Sequence, residues 1–151
     1  MRDSISFQHL ETPAELLRGF QVMRELRPHL YDEQGFVKQL TRQQEQSYRL
    51  LAAIMDGEVV GLAGYRLTEN LLYGKFIYVD DLVITAQLRG SKVGGALLAE
   101  VRAQAIARGC NMFVLDTGLH MAHAQRFYFR QGLLARGMHF VEPLQTVDGI
   151  A

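Results

Sequence analysis

The sequence predicts an α/β (α+β) chain in which helices flank a mixed central β-sheet and one parallel βαβ unit stands out. Three observations carry this expectation. An apolar strand pattern at 75–84, an alanine-leucine helix pattern at 91–108 and a second apolar run at 111–117 make a βαβ crossover, which is right-handed when its strands share a sheet. Two further strand-like runs, "YRLLAAIM" and "EVVGLAGYRL", meet at Asp56-Gly57, a strong hairpin signal, so the rest of the sheet is antiparallel. The 151 residues, 48% of them hydrophobic, suffice for one domain, 1–151, with a sizeable core.

The elements follow in order. "ISFQHL" alternates apolar and polar and reads as a first strand. Thr12, Pro13 and Glu15 have the spacing of a capped helix start. Leu16, Phe20, Met23, Leu26 or Arg27, and Leu30 then recur at helical spacing, with Pro28 ending or bending that helix. Phe36, Val37 and Leu40 suggest a second helix that fades in "TRQQEQ". After the hairpin strands, "TENLLYG" turns the chain into strand 75–84. The long helix puts Val93, Leu97, Val101 and Ala105 on one stripe, with Gly109 as its stop. A shorter helix around 122–130 ends before Gly132, and "MHFVEPL" (138–144) reads as the last strand.

Composition narrows the function classes. Sixteen basic and sixteen acidic side chains cancel, so nothing draws the chain electrostatically to nucleic acid or to an anionic membrane. The N-terminus lacks the apolar stretch of a signal peptide and no run approaches a membrane span, so a cytoplasmic location is expected. Cys110 is the one cysteine; it fits a small hydrophobe in a reducing compartment better than a catalytic thiol, since no activating partner adjoins it.

The chemistry gathers at the carboxyl ends of the parallel strands, where ligands sit in such sheets. There the loop Arg89, Gly90, Ser91, Lys92, Val93, Gly94, Gly95 leads into the long helix. A helix start offers unpaired N–H groups and positive potential, the glycines leave room for an oxygen, and Arg89 adds charge, a combination suited to a phosphate or diphosphate. Glycines at such a turn also serve tight packing. The nucleoside-triphosphate motif G-x-x-x-x-G-K-[ST] and the dinucleotide motif G-x-G-x-x-G are both absent.

This loop resembles the Arg/Gln-x-x-Gly-x-Gly/Ala motif of the GNAT N-acetyltransferases, and Ala124 to Leu133, with Phe127, Tyr128 and Gly132, is similar to that family's A-x-x-F-Y-x-x-x-G-F/L pattern. Element order agrees over essentially the whole chain. The resemblance implies acetyl-coenzyme A as acetyl donor, with its diphosphate on the loop amides; the residues themselves, with one cysteine and no HExxH motif, argue for no metal. It also implies that the backbone of Leu82, Val83 and Ile84 lies along the pantetheine arm, and that Tyr128 protonates the departing sulfur. Two positions depart from the pattern: Lys92 stands for a glycine, and Met121 for an asparagine.

Acetylating an ammonium also requires a proton acceptor. Asp80 and Asp81 are unusual in a central strand, and strand alternation sends them to opposite faces. The segment resembles the Glu-Asp-hydrophobic stretch of spermidine/spermine-type acetyltransferases, which implies catalytic or substrate-site roles for the two acids. Asp116, Thr117 and His120 lie at the same sheet end; His120 is a second candidate proton carrier. A metal set from Asp116, His120 and His123 lacks a recognisable motif. His139, in the last strand, is a candidate for acceptor specificity. The expectation is acetyl transfer to a primary amine of a small cationic metabolite by direct attack. The alternatives are a non-catalytic coenzyme A-binding or regulatory module, a protein (lysine or N-terminal) acetyltransferase, and an interaction protein with a structural glycine turn. A homodimer is left open.

Overall fold

The computed structural model of the protein describes residues 4–145; Met1 to Asp3 and the last six residues of the expected 1–151 domain lie outside it. Five strands form one sheet in sequence order: β1 (Ile5–Leu10), β2 (Tyr48–Met55), β3 (Glu58–Asn70), β4 (Gly74–Ile84) and β5 (Met112–Leu115). The first four pair antiparallel and β4–β5 is parallel, as the βαβ pattern requires. The Asp56-Gly57 turn has positive φ at both residues, 53° and 77°, the geometry that matches the twist of a two-residue hairpin.

The helical layers split by face. Helices α1 (Pro13–Leu17), α2 (Phe20–Leu26) and α3 (Glu33–Gln44) cover one side, burying Leu16, Phe20, Phe36 and Leu40 on Leu50 and Leu62. Helix α4 (Val93–Ala107) covers the other. All four residues of its predicted stripe are buried with Leu51, Ile77 and Val79. Cys110 packs, partly exposed, at the edge of that second cluster. Helix α5 (Ala122–Arg130) follows β5.

Two expectations change. The first predicted helix is two helices. Thr12 and Glu15 form the predicted capping box, but the turn at Arg18 and Gly19 interrupts the helix where Gly19 comes against Leu62 and Leu10. The last predicted strand is absent: residues 134–144 adopt neither helix nor strand, and Met138, Phe140, Val141 and Leu144 are exposed. Alternation is a tendency that only a hydrogen-bonded neighbour converts into a strand. Here Pro143 also removes a donor.

Candidate active site

The site begins with a slip in the β3–β4 register. Tyr65 pairs with Val79 and Gly64 with Asp81, which leaves Asp80 as an extra residue, a β-bulge. The bulge interrupts side-chain alternation, so the acids do not point to opposite faces as predicted. Asp80 meets Arg66 in a two-pronged ion pair, Nε–Oδ2 and Nη2–Oδ1 both 2.8 Å. Asp81 accepts from Tyr48 Oη at 2.8 Å, from Arg27 Nη2 at 2.9 Å and from Arg27 Nε at 3.1 Å. Arg66 and Tyr48 are register partners, and Tyr48 belongs to the core under α1–α3, so both carboxylates lie on that side. Gly64 makes this possible: a Cβ there would overlap Tyr48 Oη and lie 2.8 Å from Asp81 Oδ2.

Arg27, beyond the end of α2, also donates to Asp80 O at 2.9 Å and thereby ties the helical layer to the bulge backbone. Burial first, then the Asp81 charge, holds the Tyr48 phenol well above its ordinary range, so it stays a proton donor to that carboxylate. The hydrogen bond with Asp80 raises Arg66, whose guanidinium also stacks over Tyr78, 5.3 Å from the ring centre. Arg27, Arg66 and Tyr48 were not singled out from the sequence. An arginine inside the apolar "GLAGYRL" run was the available signal, because a charge in a strand interior needs a partner.

On its other edge β4 parts from β5. The parallel ladder runs from Phe76–Met112 to Val79–Leu115 and stops at the bulge. Beyond it Leu82, Val83 and Ile84 still pair with β3, but among the described residues no strand pairs with their other edge. Their backbone groups on the β5 side have no strand partner among the described residues, although Ile84 O accepts from Arg89 Nε at 3.1 Å.

The loop after β4 passes through a 3₁₀ turn, Ala86–Leu88, before α4. Its positive φ is at Gly90, 83°, with nothing near a would-be Cβ. Lys92, at φ −83° and ψ 1°, is the N-cap of α4 in a conformation open to any residue, so it stands where glycine is not required. Ser91 Oγ donates to Leu88 O and accepts from Val93 N at 3.3 Å. The amides of Gly94 and Gly95 lie in the first helical turn, where no preceding carbonyl is available. Their missing side chains let α5 approach: Phe127 would lie 3.4 Å from a Cβ at Gly94, and Gln131 3.3 Å from one at Gly95. Arg89 is not free. Its Nη2 lies 3.2 Å from Glu25 Oε1, and Glu25 also accepts from Ala86 N and Thr85 Oγ1, both at 2.9 Å.

Tyr128 is half-buried on α5, edge-on to Phe127 with ring centres 5.5 Å apart. Burial raises its phenol above the ordinary value, which keeps it protonated at neutral pH. Its hydroxyl has no hydrogen-bond partner among the described residues. Asp116 meets His139, not His120 or His123: Asp116 Oδ2 lies 3.4 Å from His139 Nδ1. Among the described residues no three His, Cys, Asp or Glu side chains gather as a metal set, and no helix is long and apolar enough to cross a membrane.

Comparison with known proteins agrees with this arrangement. The profile of the Acetyltransferase (GNAT) family matches residues 12–133. The chain is 33% identical over 98 residues to the aminoalkylphosphonate N-acetyltransferase of Salmonella typhimurium, a match spanning 64% of this chain and 62% of that protein. It is 29% identical over 125 residues to the N-acetyltransferase YhdJ of Bacillus subtilis, over 82% and 87% of the two chains. Its fold superposes with a TM-score of 0.82 on the aminoglycoside N-acetyltransferase AAC(6')-Iy solved with CoA, covering 96% of this chain and 98% of that one at 14% identity. With a parallel β4–β5 pairing that ends before β4 does, a glycine turn at the start of α4 and a family profile spanning both, this chain belongs to the GNAT acetyltransferase family.

Proposed function

We propose that the protein transfers acetyl from acetyl-coenzyme A to the primary amine of a small molecule, which arrives as its ammonium cation, by direct attack in the cytoplasm. One observation carries this reading. The unpaired β4 edge from Asp80 to Ile84 runs directly into the turn at Gly90 and the open amides of Gly94 and Gly95. A chain of amide and diphosphate groups fits that path: backbone N–H and C=O groups along the unpaired edge, helix-start amides at its end, and no side chain at Gly90. In this reading Ser91, Lys92 and Val93 complete the diphosphate turn, and Arg89 turns toward it from Glu25. Bound there, acetyl-coenzyme A supplies the activated acetyl group. A β4 N–H near the bulge steadies the carbonyl oxygen as it gains charge, and Tyr128 protonates the leaving sulfur.

Asp80 and Asp81 then form the acceptor side, with Asp80 receiving a hydrogen bond from the amine. Each is neutralised by a guanidinium, so this wall offers no net negative charge to a bare polycation. An amine that carries its own anion, as the name of the Salmonella relative describes, suits such a wall better.

The test follows free thiol while the protein is incubated with acetyl-coenzyme A and aminoalkylphosphonates, amino acids, polyamines, aminoglycosides or peptides. Small amines should release thiol, and Tyr128→Phe should lower kcat about 100-fold with little change in coenzyme A affinity. Turnover of peptides alone would make the chain a protein acetyltransferase. Coenzyme A binding without turnover would make it a binding module.

A further inference from the structure

Both acids at the bulge already hold guanidinium protons: Asp81 accepts three hydrogen bonds and Asp80 two. A different pair of titratable groups stands just past the end of the β4–β5 pairing. The β4–β5 ladder ends at Leu115, so Asp116 is the first residue past the point where the strands part. His139 reaches it from the strandless segment 134–144, placing Nδ1 3.4 Å from Asp116 Oδ2. Nε2 has no partner among the described residues. Both side chains are open to solvent, 65% for His139 and 42% for Asp116, so an acceptor and water can reach them. Among the described residues, Asp116 is the titratable group that faces the ring. Arg136 and Glu142 flank it on its own segment, and His120 and His123 lie on the turn and helix after β5.

The contact is a charge pair at 3.4 Å rather than a hydrogen bond; the carboxylate's negative charge still favours the tautomer whose N–H faces it, with the proton on Nδ1 and the lone pair on Nε2. It also stabilises the imidazolium that forms when Nε2 takes a proton, without taking the proton itself. We infer that His139 is the catalytic residue that accepts the proton of the acceptor ammonium, and that Asp116 is the positioning residue that sets its tautomer. This rests on the acetyl-transfer reading above. His139 Nε2 takes one proton from R-NH3+, and the neutral nitrogen attacks the thioester carbonyl carbon. The N–C bond forms and the C–S bond breaks. Tyr128 gives its proton to the sulfur, and the second N–H proton lost as the amide forms restores the phenol. The imidazolium releases its proton to water, so each turnover yields amide, thiol and one proton.

Two measurements on the full chain test this. The first needs no turnover: two-dimensional nitrogen NMR of the histidine rings across pH, for the wild type and Asp116→Asn. His139 should be the Nδ1–H tautomer when neutral, and that preference should weaken in Asp116→Asn. An Nε2–H tautomer, or a tautomer balance indifferent to Asp116→Asn, would overturn the assignment whether or not the protein is an acetyltransferase. The second is the pH profile of kcat/KM for the acceptor that turns over best. His139→Gln should abolish the acidic limb and lower kcat about 100-fold while coenzyme A affinity holds. Added imidazole should restore part of the rate to His139→Ala. A limb that survives in His139→Gln and vanishes in Asp80→Asn would give the proton to Asp80 instead. A chain that binds no coenzyme A and releases no thiol would remove the acetyl-transfer reading itself, and the role of His139 with it.

Discussion

Gly64 shows how one missing side chain serves the site. It leaves the space through which Tyr48 Oη reaches Asp81 Oδ2, and Asp81 in turn holds Arg27. Gly64→Ala should therefore push the phenol out of its pocket, break a buried hydrogen bond to a carboxylate and destabilise the fold by about 3 kcal/mol. Denaturant unfolding of the variant reads this directly; a loss under about 0.5 kcal/mol would mean that Tyr48 has another place to go. The acids and the loop cations were legible as residue types in the sequence. Their partners were not: Arg27 lies 54 positions from Asp81, and Arg89 lies 64 from Glu25. Such pairs exist only because α2 packs across β4.

Among elements, the junction of β4 with α4 followed local rules most closely. The positive φ of its glycine turn falls at Gly90, whose 83° favours a residue without a Cβ. Gly90→Ala should cost about 1 kcal/mol, lowering the melting temperature by roughly 2–4 °C, and should weaken coenzyme A binding. Lys92→Gly should bring no gain in either, since Lys92 already has an ordinary backbone. Thermal unfolding and calorimetry with coenzyme A check both variants. An unchanged Gly90→Ala would show that the turn relaxes freely. The Asp56-Gly57 hairpin was legible for the same reason as this turn: positive φ is a property of a residue and its neighbours. The bulge at Asp80 was not, because an extra residue is defined only against the strand it pairs with.

At the scale of the whole molecule, the face of the sheet under α4 carries a titratable pair, a half-buried histidine against a buried tyrosine. His9 Nε2 lies 2.7 Å from Tyr65 Oη. Burial, and then the Arg49 charge, lowers the imidazole below its ordinary 6.5. Below pH 6.5 the unfolded chain thus binds more protons at His9 than the folded one, and stability rises with pH in that range. Full stability is present above 6.5; it falls as pH drops from there through the lowered folded value. Denaturant unfolding at pH 7.5, 6.5 and 5.5 should show that decline in the wild type and a shallower one in His9→Gln. Equal slopes would assign the acid sensitivity to other groups.

The sequence by itself determined the features that depend on near neighbours: the βαβ order, the capped first helix, the apolar stripe of α4, the Asp-Gly hairpin and the glycine turn. Backbone stereochemistry and side-chain period act over a few residues, so a few residues suffice to read them. Only the tertiary structure decided that Asp80 and Asp81 share a face, that Arg89 rests on Glu25, that Asp116 meets His139 and that residues 138–144 form no strand. Each of these turns on which distant segments lie side by side, and strand register and helix packing fix that across the whole chain at once.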